Sequence, residues 1–113
     1  MNHANILLNN CLMFSITLSN QQCSMVSLQA IGQSLKSVAK HTKDLPRQEW
    51  SRVAGCMFIA SDRLETIAES GVRNTTIFGP YTKYIVYEYL LELAVIAKSI
   101  AYELNRKLLA LHS

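Results

Sequence analysis

The first 35 residues of this chain contain no Lys, Arg, Asp or Glu, and all 19 charged residues follow them. Glycine and proline are also scarce, at four and two in 113 residues, which excludes collagen-like and linker-like compositions. Half of the residues are hydrophobic and 17% are charged, which is not the composition of a disordered chain. The length corresponds to one hydrophobic core, so we expect a single domain over residues 1–113.

The uncharged segment lacks the features of a secretory signal and of a membrane span. Its opening Met-Asn-His-Ala-Asn has no Lys or Arg, whereas a signal peptide begins with a positively charged region. A membrane helix needs about 18 or more apolar residues in a row. The best candidate, residues 85–104, is interrupted by Glu88, Glu92, Lys98 and Glu103. We therefore expect a cytoplasmic protein that does not interact with a membrane.

Motifs of metal sites and of common enzymes are missing as well. Cys11, Cys23 and Cys56 form no Cys-x-x-Cys pair, which argues against a structural zinc site or a thioredoxin-like motif. The three histidines, at positions 3, 41 and 112, do not have the spacing of metal ligands. There is no phosphate-binding glycine loop and no Gly-x-Ser-x-Gly sequence. We predict no catalytic residue, no metal ligand and no cofactor.

Apolar residues recur at helical spacing almost throughout the chain. In the first segment they alternate steps of three and four from Ala4 to Ala39, weakened only at Gln21 and Gly32. One long helix fits this pattern, and so do two helices with a break near residues 19–24, because Ser and Asn favour turns. A second helix is predicted over about 46–70 and a third over about 80–111. The expected fold is an all-α bundle of three to four helices.

The apolar stripe of the first segment has no charged flank, which leaves two interpretations. It packs at the centre of the chain's own bundle, or it contacts a second copy or another protein, since interface cores are depleted in charge. The functional hypothesis is a small non-enzymatic bundle that forms a homodimer or docks into a larger assembly. The predicted interface residues are Leu7, Cys11, Phe14, Leu18, Met25, Leu28 and Leu35.

A run of basic residues follows the uncharged segment. Lys36, Lys40 and Lys43 are spaced i, i+4, i+7, which places them on one helix face, and Arg47 follows across a turn. Cations at the end of a helix compensate its dipole. The same residues could bind an anionic partner such as a nucleic-acid backbone. No motif that reads DNA sequence is present.

Two acidic sets occur in the predicted second and third helices. Asp62, Glu65 and Glu69 share one face, and Glu88 and Glu92 share another. Asp62 with Glu65 and Glu88 with Glu92 resemble the paired ExxE and ExxD motifs of the all-α nucleoside-triphosphate pyrophosphatases, although the second pair is spaced i, i+4. That resemblance implies Mg²⁺-dependent nucleotide hydrolysis. Solvated faces with salt bridges are the alternative, and the residues alone do not say whether the two sets meet.

Residues 71–81, with the sequence Gly-Val-Arg-Asn-Thr-Thr-Ile-Phe-Gly-Pro-Tyr, precede the long third helix. This layout resembles that of HEPN domains. Those domains are helical bundles, often dimeric, found in toxin–antitoxin and defence systems, and their RNase motif is an Arg, commonly Arg-Asn, followed four to six residues later by His. Arg73 and Asn74 match the first half, while Phe78, Gly79 and Pro80 stand where the His is expected. RNA cleavage of that type then lacks its acid/base group. A HEPN-like or nucleotide-hydrolase-like enzyme is the alternative to the association hypothesis.

Overall fold

A computed structural model describes residues 2–20, 25–74 and 80–111 of the chain, without the side chains of 80–82. Over these ranges it contains four α-helices and no strand: α1 (His3–Ser19), α2 (Met25–His41), α3 (Arg47–Thr66) and α4 (Pro80–Leu111). A 3₁₀ turn, Thr42–Asp44, lies between α2 and α3, and a π-helical segment, Ile67–Val72, continues α3. The predicted all-α bundle is confirmed.

The uncharged segment forms two helices rather than one. The side chain of Asn2 caps α1 by accepting the backbone N–H of Asn5 at 3.2 Å, which satisfies one of the free N–H groups of the first turn. At the other end, the backbone N–H of Asn20 donates to the carbonyl of Ile16 and closes the last turn. The bundle therefore has four helices, with the change of helix at the predicted position.

Side-chain contacts between helices define the direction of each one. The rings of His3 and His41 stack 4.4 Å apart, and Asn10 donates to Ser34 at 2.5 Å, so α1 and α2 are antiparallel. α3 and α4 are antiparallel too, as shown by the pairs Trp50–Lys107, Phe58–Tyr102 and Ser61–Ala94. None of the helices in the described ranges has the length and hydropathy of a membrane-spanning segment.

One continuous hydrophobic cluster fills the interior, with contributions from all four helices. Six of the seven residues predicted for an interface are buried in it, namely Leu7, Cys11, Phe14, Leu18, Leu28 and Leu35. Met25, the seventh, is half exposed. These six side chains thus pack at the centre of the chain's own bundle, because the chain's own helices cover them. Any contact made by α1 with another molecule must use its outer side.

Neutral polar groups take the places that charges would occupy at the margin of this core. The amide of Asn10 donates to the Ser34 hydroxyl and to the carbonyl of Ala30. The buried Ser61 hydroxyl donates to the carbonyl of Ala94 at 2.8 Å. In the described part of the chain, every buried side-chain nitrogen or oxygen has a hydrogen-bond partner. Hydrogen bonds of this kind remove the desolvation penalty of a buried polar group.

Two leucines of α1 provide a test of which side of the helix lies in the core. Leu7 is fully buried, whereas Leu12 is about half exposed. We expect Leu7→Ala to lower the free energy of unfolding by about 2–5 kcal/mol, since it leaves a cavity. Leu12→Ala should lower it by less than about 1 kcal/mol. Urea denaturation of the two variants measures both values, and a larger loss for Leu12→Ala would contradict the packing of α1.

Candidate association surfaces

The outer side of α1 is uncharged but presents apolar side chains. Leu12, Met13 and Ile16 are each about half exposed, and Asn5 and Asn9 are exposed in the turns before them. We call these five residues the α1 face. An apolar centre with a neutral polar margin is the usual composition of a protein–protein contact.

A groove of about 400 Å³ separates the α1 face from α3. Its walls include Leu12 from α1 and Asp62 and Arg63 from α3. Neither Asp62 nor Arg63 forms a salt bridge with another described residue. The groove therefore combines apolar surface with one unpaired charge of each sign, which can orient a bound segment. We call it the α1–α3 groove.

The thiol of Cys11 at the bottom of this groove is not a reactive nucleophile. Cys11 is fully buried in the core, and burial raises its pKa from 9.0 to about 11. Arg63 opposes the shift electrostatically, but the desolvation effect is the larger of the two. Since the thiolate is the reactive form, the thiol stays protonated at neutral pH.

The predicted anion-binding residues gather toward one end of the bundle. Lys40 lies in the last turn of α2, Lys43 in the 3₁₀ turn and Arg47 at the start of α3, while Lys36 is one turn farther inward. All four are exposed. Among the described residues none of them forms a salt bridge, although Glu49 nearby pairs with Arg52 at 2.5 Å. The structure thus places four cations without a salt bridge in the described ranges along one continuous stretch of chain.

The two acidic sets do not meet. Glu65 pairs with Lys98 of α4 at 3.6 Å, and Glu69 accepts the hydroxyl of Tyr87 at 2.5 Å. That hydrogen bond raises the pKa of Tyr87. In the described ranges no group of three His, Cys, Asp or Glu residues could hold a metal ion. Glu65 and Glu69 therefore contact Lys98 and Tyr87 of α4 rather than Glu88 and Glu92.

Arg73 and Asn74, the two residues that resemble the HEPN motif, bind the end of α3. The guanidinium of Arg73 donates to Glu69 at 3.0 Å, and the amide of Asn74 donates to the carbonyl of Ser70 at 2.9 Å. The expected His position at Phe78 and Gly79 lies outside the described residues, as does the side chain of Pro80. Both described side chains make local contacts that stabilise the helix end.

The outer side of α4 carries an apolar stripe that the sequence analysis missed. Tyr84, Val95, Tyr102 and Leu109 are between 60% and 71% exposed, and Leu91 is partly buried beside them. We call these five residues the α4 stripe. The signal in the sequence is a second series of apolar residues, at steps of seven, four, seven and seven, opposite the buried series.

Comparison with known protein families, with curated proteins and with solved structures finds no match to this chain. Its function has to be argued from its own residues and surfaces.

Proposed function

We propose that this protein is a non-enzymatic association module that docks a partner protein on the α1 face. The observation that carries the proposal is the three half-exposed apolar side chains of Leu12, Met13 and Ile16 on a helix with no charged residue. Surface helices normally carry charge on the side that faces water. An apolar cluster on an uncharged helix is typical of a surface that another chain covers.

The α1–α3 groove supports the same proposal and indicates the chemistry of the partner. The α1 face alone is smaller than the roughly 800 Å² per partner of a stable interface. The adjoining groove extends it and accepts a narrow segment, such as one helix or strand of another protein. The partner segment should carry apolar side chains for Leu12 and Ile16. It should also place an acidic and a basic group near Arg63 and Asp62, respectively.

The reactive groups of the described chain favour association over catalysis. Burial keeps the Cys11 thiol protonated. Glu65, Glu69 and Arg73 are engaged in contacts within α3 or between α3 and α4. These contacts supply a local structural role for the residues on which the HEPN-like and nucleotide-hydrolase-like alternatives rest.

A charge placed in the α1 face should prevent docking. A photo-crosslinking amino acid at position 13 of the full-length chain, expressed in its native cells, should capture one protein, which is then purified. We expect Leu12→Asp to weaken the affinity for that purified protein by about tenfold or more, because a buried unpaired carboxylate is costly. Titration calorimetry measures the affinity.

Val26→Asp is the matched control for this experiment. Val26 is 76% exposed on α2 and lies outside the α1 face and the groove, so the same change there should leave the affinity unaltered. Equal affinities for Leu12→Asp and Val26→Asp would refute docking on the α1 face. So would crosslinking from position 26 that equals crosslinking from position 13.

The basic end of the bundle favours a second candidate, a contact with nucleic-acid phosphates. Lys36, Lys40, Lys43 and Arg47 are exposed and unpaired within the described chain. Exposed cations of this kind bind phosphates with an affinity that depends on salt concentration rather than on base sequence. This candidate concerns the same association module, with a nucleic acid as an additional partner.

Removing three of these cations should change both the affinity and its salt dependence. For a mixed-sequence DNA duplex, Lys36→Ala, Lys40→Ala and Lys43→Ala combined should weaken binding. The slope of log K against log salt should shrink by roughly 2.7, because each phosphate contact contributes about 0.9. Fluorescence anisotropy at several salt concentrations measures both. Lys83→Ala on α4 is the control, and an unchanged slope in the triple variant would remove the candidate.

A further inference from the structure

We propose that the α4 stripe is the contact between two copies of this chain, which pair antiparallel about a two-fold axis. This contact lies on a different helix from the α1 face and is independent of partner docking there. A two-fold pair is the commonest arrangement of identical subunits. The spacing of the stripe, the charges along its edge and two contacts that position its side chains support this pairing.

The residues on the outer side of α4 form two interleaved rows with the spacing of a coiled-coil seam. One row is Tyr84, Leu91, Lys98 and Asn105, and the other is Glu88, Val95, Tyr102 and Leu109. Each row repeats every seven residues, and the steps between rows alternate between four and three, as the a and d positions of a coiled coil do. At 1.5 Å per residue the seam from Tyr84 to Leu109 is roughly 38 Å long.

An antiparallel pair matches each row of one copy with the other row of the second copy. The register that centres the seam on its own two-fold axis brings apolar side chains together near both ends. The pairs across the contact are Tyr84 with Leu109, Leu91 with Tyr102, Val95 with Lys98, and Glu88 with Asn105. Every pair occurs twice, as a two-fold axis requires.

Charges along one edge of the seam favour this orientation. Glu88 lies on that edge near the start of α4, with Glu92 one turn later, and Arg106 lies on it near the other end. A two-fold axis perpendicular to α4 brings the same edge of both copies together. In the antiparallel register Glu88 is displaced by only about 1.5 Å along the axis from Arg106 of the second copy. A parallel pair would instead place Glu88 beside Glu88 of the second copy, because equivalent residues of a row then meet, and it would leave Arg106 far from Glu88.

This pattern favours a second copy over an unrelated helix as the occupant. The seam carries acidic residues at one end of its edge and a basic residue at the other, and only a reversed helix with the same distribution satisfies both ends. The reversed copy of α4 has that distribution by symmetry. Charge complementarity of this kind specifies a partner and its orientation.

Two contacts with α3 position side chains in the middle of the seam before a second copy binds. Lys98, the one cation in the rows, pairs with Glu65 at 3.6 Å, so its charged end is directed to the side and its alkyl chain can cover Val95 of the second copy. The ring of Tyr102 packs edge-on against Phe58 with centroids 5.3 Å apart. Side chains that are already positioned lose less entropy when a partner binds.

Charge reversal on the full-length chain tests both the surface and the orientation. We expect the wild type to dimerise in sedimentation equilibrium, and Glu88→Arg and Arg106→Glu each to raise the dissociation constant by about tenfold or more. An equimolar mixture of the two variants should regain dimerisation, because every pair across the contact is then again Arg with Glu. Val95→Asp should give a monomer, and since Val95 is exposed its circular dichroism should be that of the wild type.

Glu103→Arg is the matched control, since Glu103 is exposed on α4 but lies away from the seam, and it should dimerise like the wild type. A wild type that stays monomeric up to about 0.5 mM would overturn the proposal. Dimerisation that Val95→Asp leaves intact would overturn it too, as would variants that fail to recover on mixing. Leu12→Asp should dimerise normally, so loss of partner docking and loss of the dimer are separate results.

Discussion

The architecture depends on burying the uncharged stripe of α1 within the same chain. Leu7, Cys11 and Phe14 have no exposed surface, and a single helix can reach that state only if other helices cover it. α2 folds back antiparallel on one side, and α3 covers another. Charges on the margins of this contact would cost desolvation, and neutral amides such as that of Asn10 avoid the penalty because they find hydrogen-bond partners inside the bundle.

The helical segments were predictable because each has its own apolar period, and α4 was found at its predicted bounds. The number of helices was not. The apolar spacing continues from Leu18 to Leu28 whether the chain stays straight or reverses, since periodicity records which side is buried and not which way the chain runs. The same limit applies to the predicted interface. The sequence pattern of a buried apolar stripe is the same whether the same chain or another chain covers the stripe.

The acidic residues illustrate why the site was harder to predict than the fold. α3 and α4 pack antiparallel, and the register of the two helices decides which side chains meet. Glu65 faces Lys98 and Glu69 faces Tyr87, whereas a shift along the axis would have favoured other partners. Register is set by the packing of small side chains such as Ser61 against the backbone at Ala94. The spacing of the carboxylates in the sequence does not determine this register.

The surfaces left over by this packing differ in direction and chemistry. α1 packs on α2 and α3, and α4 packs mainly on α3, so the outer sides of α1 and α4 point in different directions. A dimer formed along the α4 stripe would therefore leave the α1 face and the basic end of each copy accessible. Two docking surfaces held at a fixed distance bind a repeated or paired target more tightly than one, because the second contact is intramolecular. The α1 face and the α4 stripe would then bind different partners within the same assembly.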